Sequence, residues 1–372
     1  QKVKCGKTPW PSGTSIDMIK AGGDIAIQAV TQICKKVQKS QKIPEEWGES
    51  LTVPIYKGKG DALDCGKYRG IRLLEYGMKI WEKVLEARLR EIVRIDEHQF
   101  GFQPGKSTTD AIFILKQVQE KYGARKKELY HVFVDLEKAF DRVPRQAIIW
   151  ALRRQGVPET LITQVMALYK YSRSEVQTAA GSTLQFDINV GVHQGSALSP
   201  LLLIVVMQEV VKDRRRKALW ELLYADDLVL VAESEAEAVD SFNEWKSLLE
   251  KRGMKVNMEK TKVMTIGHNV GRKQKLGKYP CGVCKKGTGS NSIKCAKCEN
   301  WCHKNCSGLK TLPKDKPDFV CPACNNMNKR NQEVRATEIQ VDGGSVQVID
   351  EFCYLGEMMT CELEAEIGRA HV

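Results

Sequence analysis

Three aspartates and a cluster of cysteines are the residues best suited to chemistry in this 372-residue chain. Asp135 lies near the end of an apolar, β-branched run that begins at Tyr130. Asp226-Asp227 joins two apolar runs, Leu219 to Ala225 and Leu228 to Ala232, as the tip of a hairpin. Carboxylates placed at strand ends and hairpin tips can converge at the edge of a hydrophobic sheet without being buried unpaired. Oxygen ligands of this kind suit hard divalent cations, and two such ions about 3.5–4 Å apart can activate a hydroxyl and steady a leaving pyrophosphate. Singly, each aspartate has a plain structural reading, because Asp tolerates turn geometry. Only together do the three point to a metal site.

The second group is Cys281-x2-Cys284, Cys295-x2-Cys298, His303-x2-Cys306 and Cys321-x2-Cys324. Two thiolates on a tight turn both reach one ion, so this spacing suits tetrahedral zinc. Of the 13 cysteines, Cys5, Cys34, Cys65, Cys353 and Cys361 are scattered and the rest fall between Cys281 and Cys324, which argues for metal rather than a disulfide framework. A reducing, intracellular compartment follows, and so small a module would draw much of its stability from the metal.

These residues need a scaffold. A composition of 42% hydrophobic and 28% charged residues is that of an ordinary globular protein. The net charge of +12 suits a polyanionic partner, because neutralised phosphates release condensed counterions. The apolar run Leu201 to Met207 is far too short to cross a bilayer, and no membrane partner is expected. The chain opens on Gln1 without a signal-like segment, so the natural N-terminus is expected to lie upstream.

Periodicity then places the elements. A helix carries Ile25, Ala29, Ile33 and Val37 on one face and stops before Pro44. Leu51 to Tyr56 is extended and leads into Lys57-Gly58-Lys59-Gly60. Helices follow over Tyr76–Val93 and Thr108–Lys121, with Ser107 or Thr108 as N-cap. Tyr130–Leu136 reads as a buried strand, Arg145–Gln155 and Glu159–Tyr169 as helices, and Ser174–Ala179 with Thr183–Val190 as a hairpin. An apolar helix spans Ser199–Lys212, an amphipathic one Glu235–Arg252, and Val346–Met359 returns to strand patterning. Helices alternating with largely antiparallel strands predict an α+β core. Gly101-Phe102-Gln103-Pro104-Gly105-Lys106-Ser107 looks like a phosphate-binding loop, but its glycines are one residue too close and no strand precedes it.

Read together, the motifs resemble the reverse transcriptases of LINE-type (non-LTR) retrotransposons. Phe133-Val134-Asp135-Leu136-Glu137-Lys138-Ala139-Phe140-Asp141 resembles their motif A and Gln194-Gly195-Ser196-Ala197-Leu198-Ser199-Pro200 their motif B. Tyr224-Ala225-Asp226-Asp227 looks like motif C, Gly253 to Lys262 like motif D, and Phe352-Cys353-Tyr354-Leu355-Gly356 like the primer grip. Val53 to Asp61 and Tyr68-Arg69-Gly70-Ile71 match the fingers motifs. The resemblance covers about Gly13 to Gly267 and Val346 to Met359, in the family's order.

The resemblance implies a right-hand polymerase, with fingers and an antiparallel palm sheet, that copies RNA into DNA. Its partners would be an RNA template, a DNA primer and deoxynucleoside triphosphates, and it would be nuclear when active. Asp135, Asp226 and Asp227 would hold two magnesium ions, with Asp227 the more peripheral. Phe140 would be the steric gate against a ribose 2′-hydroxyl. Lys57 and Arg69 would contact the triphosphate, and Gln194 and Gly195 would line the nucleotide and template side. Lys260, with Lys262 as rival, would protonate pyrophosphate, and Asp141 is read as structural. Trp10, Gln103 and Lys106 depart from the family pattern, the last two at positions where arginines would contact template.

Four cysteines, one histidine and three cysteines in that order resemble a PHD finger. In that family's cross-brace Cys281, Cys284, His303 and Cys306 hold one zinc, and Cys295, Cys298, Cys321 and Cys324 the other. Cys302 is left over as a buried thiol beside Trp301. The resemblance implies a histone-tail or chromatin partner, but Ser292 and Ala296 stand where readers often carry an aromatic and an acid, so a purely structural or nucleic-acid-contacting role is an equal alternative.

The expected organisation is fingers and N-terminal helices over 1–128, palm over 129–267 and a basic linker over 268–280. A PHD-like double zinc finger follows over 281–324 as a small cross-brace module, then a linker over 325–345, then a primer-grip segment and the start of a truncated thumb over 346–372. The competing reading is an inactive retrotransposon remnant that acts only as a zinc-dependent chromatin or nucleic-acid binding module.

Overall fold

The computed structural model describes residues 6, 10, 12–58, 60–212, 221–267, 281, 283, 292–296, 300–307, 309, 319–322 and 337–361. They belong to two compact units, Gln1–Ile266 with Glu338–Leu363 and Gly267–Thr337 with Glu364–Val372.

The first unit opens with α1 (Ile16–Ala21), capped by Ser15, and α2 (Gly23–Ser40). Only Val37 of the expected stripe on α2 is buried, because it alone reaches the cluster that includes Ile43 and Trp47; Ile25 and Ile33 are exposed. Strands β1 (Glu49–Tyr56) and β2 (Tyr68–Leu74) form an antiparallel hairpin. In α3 (Tyr76–Ile92) Met78, Trp81, Leu85 and Leu89 recur at helical spacing and are all buried. Next, α4 (Thr108–Ala124) starts with a capping box between Ser107 and Asp110.

The strand β3 (Leu129–Val134) is buried throughout. It is followed by the short turn α5 (Ala139–Arg142), by α6 (Arg145–Arg154) and by α7 (Glu159–Ala167). Three short strands come next: β4 (Arg173–Thr178), β5 (Gly181–Ser182) and β6 (Phe186–Asp187). Every residue from Leu201 to Met207 of α8 (Ser199–Lys212) is at most 1% exposed, so this helix, apolar all round, must sit at the centre. Strands β7 (Glu221–Tyr224) and β8 (Asp227–Ala232), helix α9 (Glu235–Lys251) and strand β9 (Lys262–Ile266) complete this run.

The second unit contains β10 (Ser292–Lys294), β11 (Trp301–His303) and the turn α10 (Lys304–Ser307). The chain then returns to the first unit with β12 (Glu338–Val341), β13 (Gly344–Ile349) and the hairpin of β14 (Glu351–Tyr354) with β15 (Glu357–Thr360).

The central sheet has the order β12-β13-β9-β3-β8-β7. One face joins α3, α6, α7, α8 and α9 in the main core through Val132, Val134, Leu228 and Leu230. On the other face Phe133 stacks on Phe352 at 4.3 Å. The α+β class holds, and the strands β3, β7, β8 and β9 pair antiparallel as expected, with β13 joining β9 in parallel at the edge. Three expectations are corrected. The segment 325–345 is not all linker: β12 and the start of β13 lie in it, because Ile339 and Val346 are needed to bury the sheet edge. Strand β4, counted with the palm, pairs in parallel with β1 in the fingers sheet. Thr183–Val190 is not one strand: within it β6 alone is extended, while β5 falls in the expected turn, and both pair with β4.

His131 on β3 is wholly buried beside Phe133 and Gln119, and burial pushes its imidazole down to about 3. It is neutral in the folded state, whereas the unfolded chain binds a proton below about 6.5. Stability is therefore complete above that pH and declines as pH falls towards 3. His131→Gln should flatten the fall of the thermal midpoint between pH 6.5 and 5; an unchanged slope would remove His131 from the acid response.

Candidate active site and metal centres

Asp135 leaves β3 where the strand ends, and the segment Val256–Thr261, within the motif D stretch, holds it there. Asn257 N–H donates to the Asp135 carbonyl at 2.8 Å, Leu136 and Val256 form an antiparallel bridge, and Thr261 Oγ1 accepts from Asp135 N–H at 3.4 Å. The same turn, tied by Asn257 Oδ1 to Lys260 N–H, brings Lys260 Nζ to 3.5 Å from Asp135 Oδ2. Burial raises the Asp135 carboxyl while Lys260 and Lys57 pull it back down. The rival Lys262 lies on β9 and donates to Gln347 at 3.0 Å instead.

Asp226 and Asp227 follow Ala225, which adopts φ +59° at the tip between β7 and β8. Register pairs Tyr224 with Asp227, so the turn is as tight as the sequence predicts. Loss of hydration, joined by repulsion from Asp135, raises Asp226. Asp227 opens to solvent at the rim, yet loss of hydration and then Asp226 and Asp135 push it up to about 6. Asp135 and Asp227 line one small cavity with Phe133, Phe352 and Tyr354, which puts the primer-grip hairpin beside the carboxylates. Burial and Asp227 raise the Tyr354 phenol beyond its ordinary range.

The residues that the resemblance assigns to the nucleotide come from three separate segments. Phe140, half-buried on α5 after left-handed Lys138, takes Val192 N–H on its carbonyl at 2.8 Å. Gln194 Nε2 donates to Asp141 at 2.8 Å, and Gln194 O accepts from Arg72 N–H at 3.1 Å. Asp141, read as structural, thus orients Gln194. Gly195 has φ +99° and brings its backbone within close reach of the Arg72 carbonyl, a place where a side chain would be strained. Lys57 lies in the loop after β1 and donates to Gly66 O at 2.9 Å; Arg69 is exposed on β2. Sequence reasoning gave no role to Asn257, Thr261 or Gln99. Their contribution is to long-range contacts that leave no local pattern.

In the second unit β10 and β11 pair Ser292 with His303 and Lys294 with Trp301. This pairing and the following turn gather Cys281, His303 and Cys306, whose ligand atoms all lie within 4.8 Å of one another. Cys295 Sγ accepts from Cys321 N–H at 3.2 Å, and both residues are buried. Cys284, Cys298 and Cys324 lie outside the described residues. The Cys302 thiol, also buried, is pushed up to about 12 by burial and by Cys281, as befits a protonated spare thiol.

The family model for "Reverse transcriptase (RNA-dependent DNA polymerase)" matches residues 55–316, well over half of the chain. The chain is 24% identical over 247 residues to a Pol polyprotein from type-1 retrotransposable element R2 of Nasonia vitripennis, covering 64% of this chain and 24% of that protein. It is 28% identical over 273 residues to a probable RNA-directed DNA polymerase from transposon BS of Drosophila melanogaster, covering 68% and 30%. The polymerase from mobile element jockey of the same fly is 24% identical over 266 residues, covering 67% and 29%. The chain thus spans about a quarter to a third of the length of these relatives.

Proposed function

Because this chain belongs to the reverse transcriptase (RNA-dependent DNA polymerase) family, we propose that it forms the fingers and palm of a non-LTR retrotransposon polymerase that extends a DNA primer along an RNA template. The observation that carries this reading is the cleft in which Asp135 and Asp227 meet the Phe352–Tyr354 hairpin, with Asp226 in the same turn. The residues fit magnesium: the donors are carboxylate oxygens, and buried Asp135 Oδ2 accepts no well-formed hydrogen bond and faces only the Lys260 ammonium at 3.5 Å. When bound there, two magnesium ions supply Lewis-acid stabilisation of the attacking hydroxyl and the leaving pyrophosphate. Asp135, Asp226 and Asp227 would hold them. Lys57 and Arg69 would bind the triphosphate oxygens, Arg69 through its fork of donors. Gln194, held by Asp141, and Gly195 would line the template side, and Lys260 would give a proton to pyrophosphate.

The test is RNA-templated primer extension with magnesium. Absence of product, with Asp226→Ala no worse than the parent, would favour the remnant that only binds chromatin or nucleic acid. Phe140 would press against the sugar C2′ position. Phe140→Ala should therefore raise the kcat/KM for ribonucleotides relative to deoxynucleotides roughly 10- to 100-fold. Unchanged selectivity in an active enzyme would assign the gate elsewhere.

We read the second unit as a PHD-like double zinc module. Cys281, His303 and Cys306 offer the soft donors zinc prefers, and Cys284 is the sequence's candidate for the fourth. Exposed Trp301 would provide one wall for a histone-tail side chain in the nucleus. Peptide titration followed by Trp301 fluorescence tests that partner.

A further inference from the structure

The residues His98–Phe100, just before the Gly101–Ser107 stretch that was set aside as a false phosphate loop, lie against the catalytic hairpin. Phe100 N–H donates to Leu223 O at 2.8 Å and Leu223 N–H donates to His98 O at 3.0 Å, so the chain before α4 runs beside β7 as a parallel strap. Gln99 is 2% exposed, and its Oε1 accepts two N–H groups, from Gly101 at 2.8 Å and from Ala225 at 2.9 Å. A Cβ on Gly101 would come to 2.3 Å from Ala225 N, so glycine is required there by space alone. Lys106 Nζ donates to the carbonyls of Glu97 and Gln99 and lies over the Phe100 ring, fastening the strap.

Ala225 is the residue that needs such help. An L-residue in the left-handed region is strained by its own Cβ, and a buried N–H without a partner loses its hydration unreplaced. We propose that Gln99 is a positioning residue for the catalytic hairpin: its amide oxygen holds Ala225 left-handed and thereby sets the direction in which Asp226 and Asp227 enter the cleft. The inference rests on the reading of Asp226 as a metal-binding carboxylate.

Three variants test it. Gln99→Met keeps the side-chain length and removes the acceptor, whereas Gln99→Glu keeps an accepting oxygen in either protonation state. Ala225→Gly removes the penalty on the left-handed turn. Gln99→Met should lower kcat about 10- to 100-fold and raise the magnesium concentration for half-maximal extension, with the KM for nucleotide little changed. Gln99→Glu should restore most of the loss, and Ala225→Gly should recover part of it in the Gln99→Met background. Equal loss in Gln99→Met and Gln99→Glu, or an unchanged magnesium requirement in Gln99→Met, would overturn the proposal. Manganese affinity measured by calorimetry needs no turnover. A parent that binds manganese but does not extend primers would refute the polymerase reading, while weaker binding by Gln99→Met would still support the positioning role. Should Gln99→Met fail to fold, Gln99→Glu with wild-type manganese affinity beside a weakened Gln99→Asn, too short to reach Ala225, carries the same decision.

Discussion

Asp226→Ala is expected to lower RNA-templated extension at least ~10³-fold, because losing a metal ligand forfeits several kcal/mol of transition-state stabilisation at about 1.4 kcal/mol per decade. The loss should not come from unfolding. The folded protein raises the Asp226 carboxyl, so it binds more protons than the unfolded chain above the ordinary carboxylate range. Stability from this group is thus given up as pH rises, and the metal-free alanine variant should melt no lower than the parent at pH 7. A large drop in its melting temperature would mean that the aspartate is structural. Asp227→Asn should cost less, ~10- to 100-fold, because Asp227 sits at the exposed rim. Since Asp227 is held at about 6, the parent's magnesium requirement should climb as pH falls through that value; a requirement constant from pH 8 to 5.5 would place Asp227 outside the metal shell.

Metal removal from the second unit is expected to have an equally large effect, of a different kind. Its interior consists largely of buried sulfur: Cys281, Cys295, Cys302 and Cys321 cluster with Ile293, Phe319 and Val320. A core this rich in sulfur among the described residues points to metal as its main support, and structural zinc contributes an apparent 10–16 kcal/mol or so in comparable small modules. The purified chain should carry two zinc ions. His303→Ala should reduce this to about one, and chelation should open the segment 281–324 to protease while the palm resists. Cobalt in place of zinc should give the intense visible bands of tetrahedral thiolate sites. A preparation with well under one zinc per chain, and no such bands, would refute the module.

Much of the site was readable because its signals are local. Asp135 ends a run of consecutive buried residues, and Asp226-Asp227 falls between two apolar strands, so pattern alone located both. Helices α3 and α8 were equally plain, since one carries its apolar residues at helical spacing and the other is apolar throughout. Histidine and cysteine spacing likewise announced the cluster of Cys281, His303 and Cys306. Local pattern also misled, as on α2, where Ile25 and Ile33 share the expected stripe but stay exposed among the described residues.

By itself, then, the sequence determined the carboxylates, the metal-binding spacings and the elements that carry them. Only the tertiary structure decided that β13 returns beside β9 from beyond the cysteine module, that β4 crosses to β1, and that Lys260 rather than Lys262 reaches Asp135. It alone revealed Gln99 under the catalytic turn. The reason is physical. Residue type and periodicity fix which face of an element seeks burial within a few residues of chain, but strand partners and capping contacts are chosen by closing loops over tens to hundreds of residues. A lone glutamine or lysine looks the same in sequence whether it faces solvent or holds a catalytic hairpin in place.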